Sequence, residues 1–315
     1  MQRWTRAAIR AALVALVLVC QAVAPSVSAD TLDVGRDRFM FTDWPGPPVR
    51  VFTYKPEGFS PTTPVVFILH GTRRNADVYR DQWAPLAEDN GFLVVAPEFI
   101  RTDFPQSFGY NLGNVYTRDG ALLPRERWAF TLIEGMFDRV KALTGSIRPT
   151  YSLYGHSAGS QFVHRFLYYM PQARVQRAVA ANAGWYTLPS YDEDFPYGLK
   201  GTGLPPEYLG ATLSRPLVVL LGEDDDNPNS ANLRRTPEAM RQGRHRLARG
   251  KRFFELARQQ AERLAVPFNW HLDTVPDVGH NNARMAPAAV AYLLDGVFAE
   301  TGTFMPAEGP DPERR

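Results

Sequence analysis

The chain has 315 residues, 44% of them hydrophobic and 22% charged, with one cysteine and a formal net charge of +2. That apolar share can fill a large core, which excludes a disordered chain and a coiled coil, and a single thiol excludes a disulfide framework.

In chain order, Arg3, Arg6 and Arg10 come first, then an apolar stretch from Ala11 to about Ala24, then the small-residue tripeptide Val27-Ser28-Ala29. Basic, apolar and small segments in that order predict a secretory leader over residues 1–29, cleaved after Ala29. The apolar stretch, about 14 residues, is shorter than the roughly 20 a membrane span needs. The lone cysteine, Cys20, falls inside the leader, and Val19 before it is larger than the small residue usual in a lipoprotein signal. The mature chain is therefore expected to carry no thiol, no lipid anchor and no stable membrane anchor, and to be secreted or periplasmic. Removing the three leader arginines takes 35 basic residues to 32 against 33 acidic ones, a net charge of −1. The alkaline pI of the full chain thus gives no reason to expect a nucleic-acid partner.

From residue 30 to about 302 short apolar runs alternate with longer stretches of helical period, the pattern of an α/β domain with a mostly parallel sheet covered on both faces. "VRVFTY" (49–54) reads as an early antiparallel strand. "PVVFILH" (64–70), "FLVVAPEF" (92–99), "TYSLYGH" (150–156), "RAVAAN" (177–182) and "RPLVVLLG" (215–222) are nearly unbroken apolar runs, as strands buried on both faces require. "FNWHLDTV" (268–275) alternates and belongs nearer the sheet edge. Helices are expected over 76–90, 125–143, 157–170, 250–265 and 284–299. Residues 186–214 and 226–249 interrupt the alternation and are read as insertions over the strand C-termini, where they would shape a pocket. The second holds Arg234, Arg235, Arg241, Arg244, Arg246 and Arg249, which with Lys251 and Arg252 just beyond it are read as a solvated basic face. Residues 303–315, ending "PAEGPDPERR", are expected to form a flexible tail.

In "LYGHSAGSQF" (153–162) a serine stands between Gly155 and Gly159 where an apolar strand gives way to an amphipathic helix. Joining the two within one tight turn forces Ser157 toward positive φ and brings backbone close to both glycine positions, where a Cβ would collide. The turn lifts the hydroxyl above the sheet edge, with the Ala158 amide and the positive end of the helix beside it. Ser157 as a simple helix cap would not need glycine on both sides.

Strand, "GHSAG" and helix together resemble the nucleophile elbow of the α/β-hydrolase superfamily, and the likeness extends in element order over nearly the whole mature chain. It implies the α/β-hydrolase fold and a serine, then acid, then histidine order. His280, in the loop "TVPDVGHNNA" after the last strand, is the expected base; His70, His156, His164, His245 and His271 are placed less well. The acid is expected after "PLVVLLG", among Asp224, Asp225 and Asp226, with the Gly-x-x-Asp spacing from Gly222 selecting Asp225. Read as a calcium loop, the same run lacks an EF-hand's glycine and terminal glutamate, so no metal is expected. The oxyanion hole is expected from the backbone N–H of Ala158 and of Thr72 in "HGTRRN", and Trp185 and Tyr186 in "ANAGWYTLP" are candidate pocket walls.

The resemblance thus implies a serine hydrolase acting on carboxylic esters, small or polymeric, without a cofactor. Its weak similarity to the polyhydroxybutyrate depolymerase and feruloyl esterase-like branch leaves acyl and alcohol preference open. Amide substrates and a non-catalytic binding protein on the same fold remain alternatives.

Overall fold

A computed structural model describes residues 31–294. The leader, the tail at 303–315 and the last residues of the helix expected at 284–299 lie outside the described residues. Eight strands form one sheet: β1 (Gly35–Phe41), β2 (Val49–Lys55), β3 (Val65–Leu69), β4 (Leu93–Pro97), β5 (Tyr151–His156), β6 (Val175–Ala181), β7 (Leu217–Gly222) and β8 (Trp270–Val275). Their order across the sheet is β1-β2-β4-β3-β5-β6-β7-β8. β1 and β2 pair antiparallel, as do β2 and β4, and every pair from β4 onward is parallel.

The helices are α1 (Ala76–Asn90), α2 (Thr131–Thr144), α3 (Ala158–Tyr169), α4 (Pro206–Leu213), α5 (Pro237–Gln242), α6 (Arg246–Leu264) and α7 (Asn282–Leu293). Successive residues of β3 show why its sequence is unbroken Val, Ile, Leu and Phe. Val65, Phe67 and Leu69 join the core beneath α2, α3 and α6, while Val66 and Ile68 join the one beneath α1 and α7. With no face left to water, no position favours a polar residue.

The structure departs from the sequence-based reading at three places. β1 is not among the runs read as strands, because it is an outer strand with every second residue half-buried and Arg36, Arg38 and Asp37 along it. The helix expected from residue 125 opens as a short 3₁₀ turn, Arg125–Arg127, and α2 starts only at Thr131, so Trp128 precedes it. The two insertions contain α4, α5 and the first turn of α6, which begins at Arg246 rather than near 250.

Candidate active site

The C-terminal ends of β5, β7 and β8 face the same cleft, and each delivers one polar side chain. Ser157 follows β5 directly at φ 59° and ψ −111°. A Cβ on Gly155 would lie 2.3 Å from the Gly159 carbonyl group, and one on Gly159 would lie 2.0 Å from the Leu69 carbonyl oxygen. Both contacts are closer than any real Cβ makes, so the close approach of β3, β5 and α3 itself demands glycine at these positions. The Ser157 amide donates to the Ala181 carbonyl (3.0 Å), tying the turn to the end of β6.

Asp225, three residues past the end of β7, accepts through Oδ2 from His280 Nδ1 at 2.7 Å. With Nδ1 donating, His280 Nε2 is free to accept from the Ser157 hydroxyl, 2.9 Å away. The other carboxylate oxygen of Asp225 accepts from Arg246 Nη1 at 3.0 Å, and both side chains are only 4% exposed. Arg246 also donates to Ser230 Oγ (3.1 Å). Of the three candidate acids Asp225 is buried, whereas Asp224 and Asp226 are exposed. The loops carrying Asp225 and His280 are locked together. A Cβ on Gly222 would fall 2.2 Å from the Val278 carbonyl oxygen. Asn182, at the end of β6, accepts from the Gly222 amide (2.8 Å) and donates to the Gly279 carbonyl (3.2 Å).

Gly71 brings its loop against the serine: a Cβ there would lie 3.6 Å from Ser157 Cβ. The Thr72 carbonyl accepts from Arg101 Nη2 at 2.5 Å, which fixes the loop on its outer side. The Ala158 amide, as the first of α3, has no partner within the helix. Thr72 lines the cleft together with Ser157.

Three buried histidines support the site. His70 accepts at Nε2 from the Phe99 amide (3.1 Å), so Nδ1 carries the proton and donates to the Gly71 carbonyl (3.0 Å). Burial drives its pKa down to about 3, so the ring is a neutral brace for the loop. His164 is built alike, accepting from the Thr187 amide (3.1 Å) and donating to the Ser160 carbonyl (2.9 Å). His156, the residue before the serine, lies 4.7 Å ring to ring from His280, and its Nδ1 is 3.0 Å from the Tyr79 hydroxyl. Burial, first of all, and the neighbouring His280 and Arg246 hold His156 well below the usual imidazole range. His245 instead caps α6, accepting from the Ala248 amide.

The cleft above Ser157 has a volume of about 870 Å³. Trp185 lines it, while Tyr186 does not: it is fully buried and stacks on Phe253 with ring centroids 4.3 Å apart. The arginines of the second insertion divide: Arg235, Arg241 and Arg244 are exposed, as a solvated face requires, whereas the other three are drawn into the protein. Arg249 is completely buried and donates to the Gly184 and Gly243 carbonyls, Arg246 holds Asp225, and Arg234 lies over Trp185 at 4.7 Å. Arg246 and Asn182 carry no signal in the sequence pattern, since each acts on a residue brought near only by folding.

Sheet order, the strained serine turn and a histidine after the last strand define the class, and the chain belongs to the α/β-hydrolase superfamily and is a hydrolase. It is 48% identical to poly(aspartic acid) hydrolase-1 from Sphingomonas sp. KT-1, over 83% of this chain and 99% of that one, with a TM-score of 0.82. It is 35% identical to a poly(3-hydroxybutyrate) depolymerase from Bordetella parapertussis, over 85% of this chain and 93% of that one, with a TM-score of 0.79. An S-formylglutathione hydrolase from Agrobacterium tumefaciens shares the fold at 15% identity, over 82% and 93% of the two chains and a TM-score of 0.54. No family model and no curated protein matches the sequence.

Proposed function

We propose that this chain is an exported serine hydrolase that cleaves carboxylic esters through an acyl-enzyme. The observation that carries the reading is the continuous hydrogen-bonded series Ser157–His280–Asp225, buried at its acid end and open to the cleft at its hydroxyl end. Serine at its free pKa is a weak nucleophile, so His280 Nε2 takes the hydroxyl proton as Oγ bonds to the substrate carbonyl carbon. The carbonyl electrons move onto oxygen, held by the Thr72 and Ala158 amides, while Asp225 orients the imidazole and stabilises its cation. When the carbonyl re-forms, the bond to the alcohol breaks, and the imidazolium returns the proton to it. Water then attacks the acyl-serine with His280 again as base, which releases the acid and restores the hydroxyl. The leader read at residues 1–29 supports export.

The similarity to a poly(aspartic acid) hydrolase favours a second reading, in which the scissile bond is an amide of a polymer. The same steps apply, with an amine leaving in place of an alcohol. Hydrolysis of a panel of short- and long-chain chromogenic esters by wild type and Ser157→Ala, beside fluorophosphonate labelling, tests both. The alanine variant is expected to lose turnover by about 10⁴-fold or more together with all labelling. Turnover that survives in it would reject Ser157 as nucleophile. Labelling of the wild type without ester turnover would select the amide.

A further inference from the structure

Among the described residues no aspartate or glutamate lines the cleft, whereas five arginines do: Arg73, Arg74, Arg101, Arg234 and Arg246. Even Asp77 and Asp103, the carboxylates nearest in sequence to these arginines, stand outside the lining. Three of the five are committed to protein acceptors. Arg74 donates to the Phe99 and Gln106 carbonyls, Arg246 to Asp225 and Arg101 to the Thr72 carbonyl. The other two have guanidinium nitrogens to spare. Arg73 is exposed and makes no hydrogen bond or ion pair among the described residues, and Arg234 donates only through Nε, to the Tyr197 hydroxyl at 2.6 Å.

Arg234 is also propped in place. Its guanidinium lies 4.7 Å from the Trp185 ring centre and 5.4 Å from that of Tyr197. A second cation shares the same indole: Arg165, completely buried, lies 4.2 Å from it. Arg165 donates to Thr187 Oγ1 and to the Gln161 and Asn111 carbonyls, all neutral acceptors, and its Nη2 has no partner among the described residues. Among the described residues neither arginine forms an ion pair with a carboxylate, and the acid that feels the Arg234 charge, Glu238, lies outside the cleft lining. A guanidinium buried without a counter-charge is costly, and a cleft of one sign draws in ligands of the other.

The two uncommitted arginines stand on opposite sides of the nucleophile. Arg73 follows β3, Arg234 follows β7, and the sheet order sets β5, with Ser157 at its end, between those strands. We propose that the cleft takes an acyl oligomer carrying carboxylates on both sides of the scissile bond, Arg73 engaging a carboxylate on one side and Arg234 one on the other. The inference rests on the serine hydrolase reading and adds to it the charge of the substrate and its internal cleavage.

The test pairs each charged ester with a neutral counterpart of the same reactivity. For the acyl side, mono-p-nitrophenyl adipate, whose carboxylate stands too far along the chain to attack its own ester readily, is set against its methyl ester, and for the leaving side 4-acetoxybenzoate against 4-acetoxybenzamide. In wild type each carboxylate is expected to raise kcat/KM by about tenfold, the scale of one charge-assisted hydrogen bond at a site that water can reach. Raising the ionic strength to about 0.5 M should shrink both preferences. Arg234→Gln should erase one and Arg73→Gln the other, while Arg258→Gln, an exposed arginine of α6 paired with Glu255 and Glu262, should alter neither ratio. Where esters are not turned over, protection of Ser157 from fluorophosphonate by sodium polyaspartate, relieved in both variants, reads the same point. Ester turnover with no preference for either carboxylate would overturn the proposal and leave the serine hydrolase standing. A preference that both variants retain, or that one variant removes on both sides, would overturn the two-sided assignment.

Discussion

Taking a carboxylate out of water costs several kcal/mol unless donors replace its hydration. For Asp225 the donors are His280 on one oxygen and Arg246 on the other, so its charge and its direction are held by the same two contacts. Asp226, one residue on, is exposed and has neither partner. Asp225→Asn is therefore expected to lower kcat by about 10³- to 10⁴-fold, because an amide cannot hold the imidazole in the required tautomer. Asp226→Asn should stay within about twofold of wild type. Steady-state rates on one activated ester decide the matter, and the reverse ranking would move the acid to Asp226. The Gly222-x-x-Asp225 spacing was readable in the sequence because a strand end and a tight turn are local. Arg246 was not, since it reaches Asp225 across 21 residues and sits among other arginines that resemble a surface face.

Legibility at the scale of elements follows burial. β3, β4, β5 and β7 are buried at every position and stand out as apolar runs, while β1, half-exposed and charged, does not. α6 starts four residues before the helical period at 250 does, because Arg246 and Arg249 in its first turn are buried by hydrogen bonding, which hydrophobic periodicity cannot detect. The elbow was legible because its constraint is steric and falls on two glycines. The same constraint gives a graded prediction. Gly155→Ala and Gly159→Ala would drive a methyl into backbone 2.3 and 2.0 Å away, and backbone there cannot yield without separating α3 from β5 in the first case and from β3 in the second. Each should cost about 3 kcal/mol or more, seen as a large fall in Tm or loss of soluble protein. Gly58→Ala meets nothing within 4 Å and should leave Tm within about 2 °C. Equal tolerance at all three positions would mean that the elbow is not held as closely as this geometry requires.

At the scale of the whole molecule, the imidazoles that brace the cleft also set the fold's tolerance of acid. His70, His156 and His164 are buried, and burial lowers each pKa from its unfolded value near 6.5, to about 3 for His70. Below pH 6.5 the unfolded chain therefore binds protons that the folded chain excludes, so stability is intact above that pH and is lost as pH falls through the window toward 3. Each group contributes a slope of about 1.4 kcal/mol per pH unit within its window, so three acting together remove about 4 kcal/mol between pH 7.5 and 5.5. Most carboxylates titrate below that interval, so the slope there reports chiefly on histidine. Equilibrium urea unfolding across pH 5.5–7.5 should show this fall. His70→Gln can replace only one of the two hydrogen bonds that join Phe99 to the Gly71 loop, so it should be less stable than wild type at pH 7.5. Its pH dependence should nonetheless be shallower by one proton, because the group that titrates on unfolding is gone. An unchanged slope in His70→Gln would show that this ring does not stay neutral in the folded protein, and would remove it as the brace that holds the Gly71 loop against Ser157.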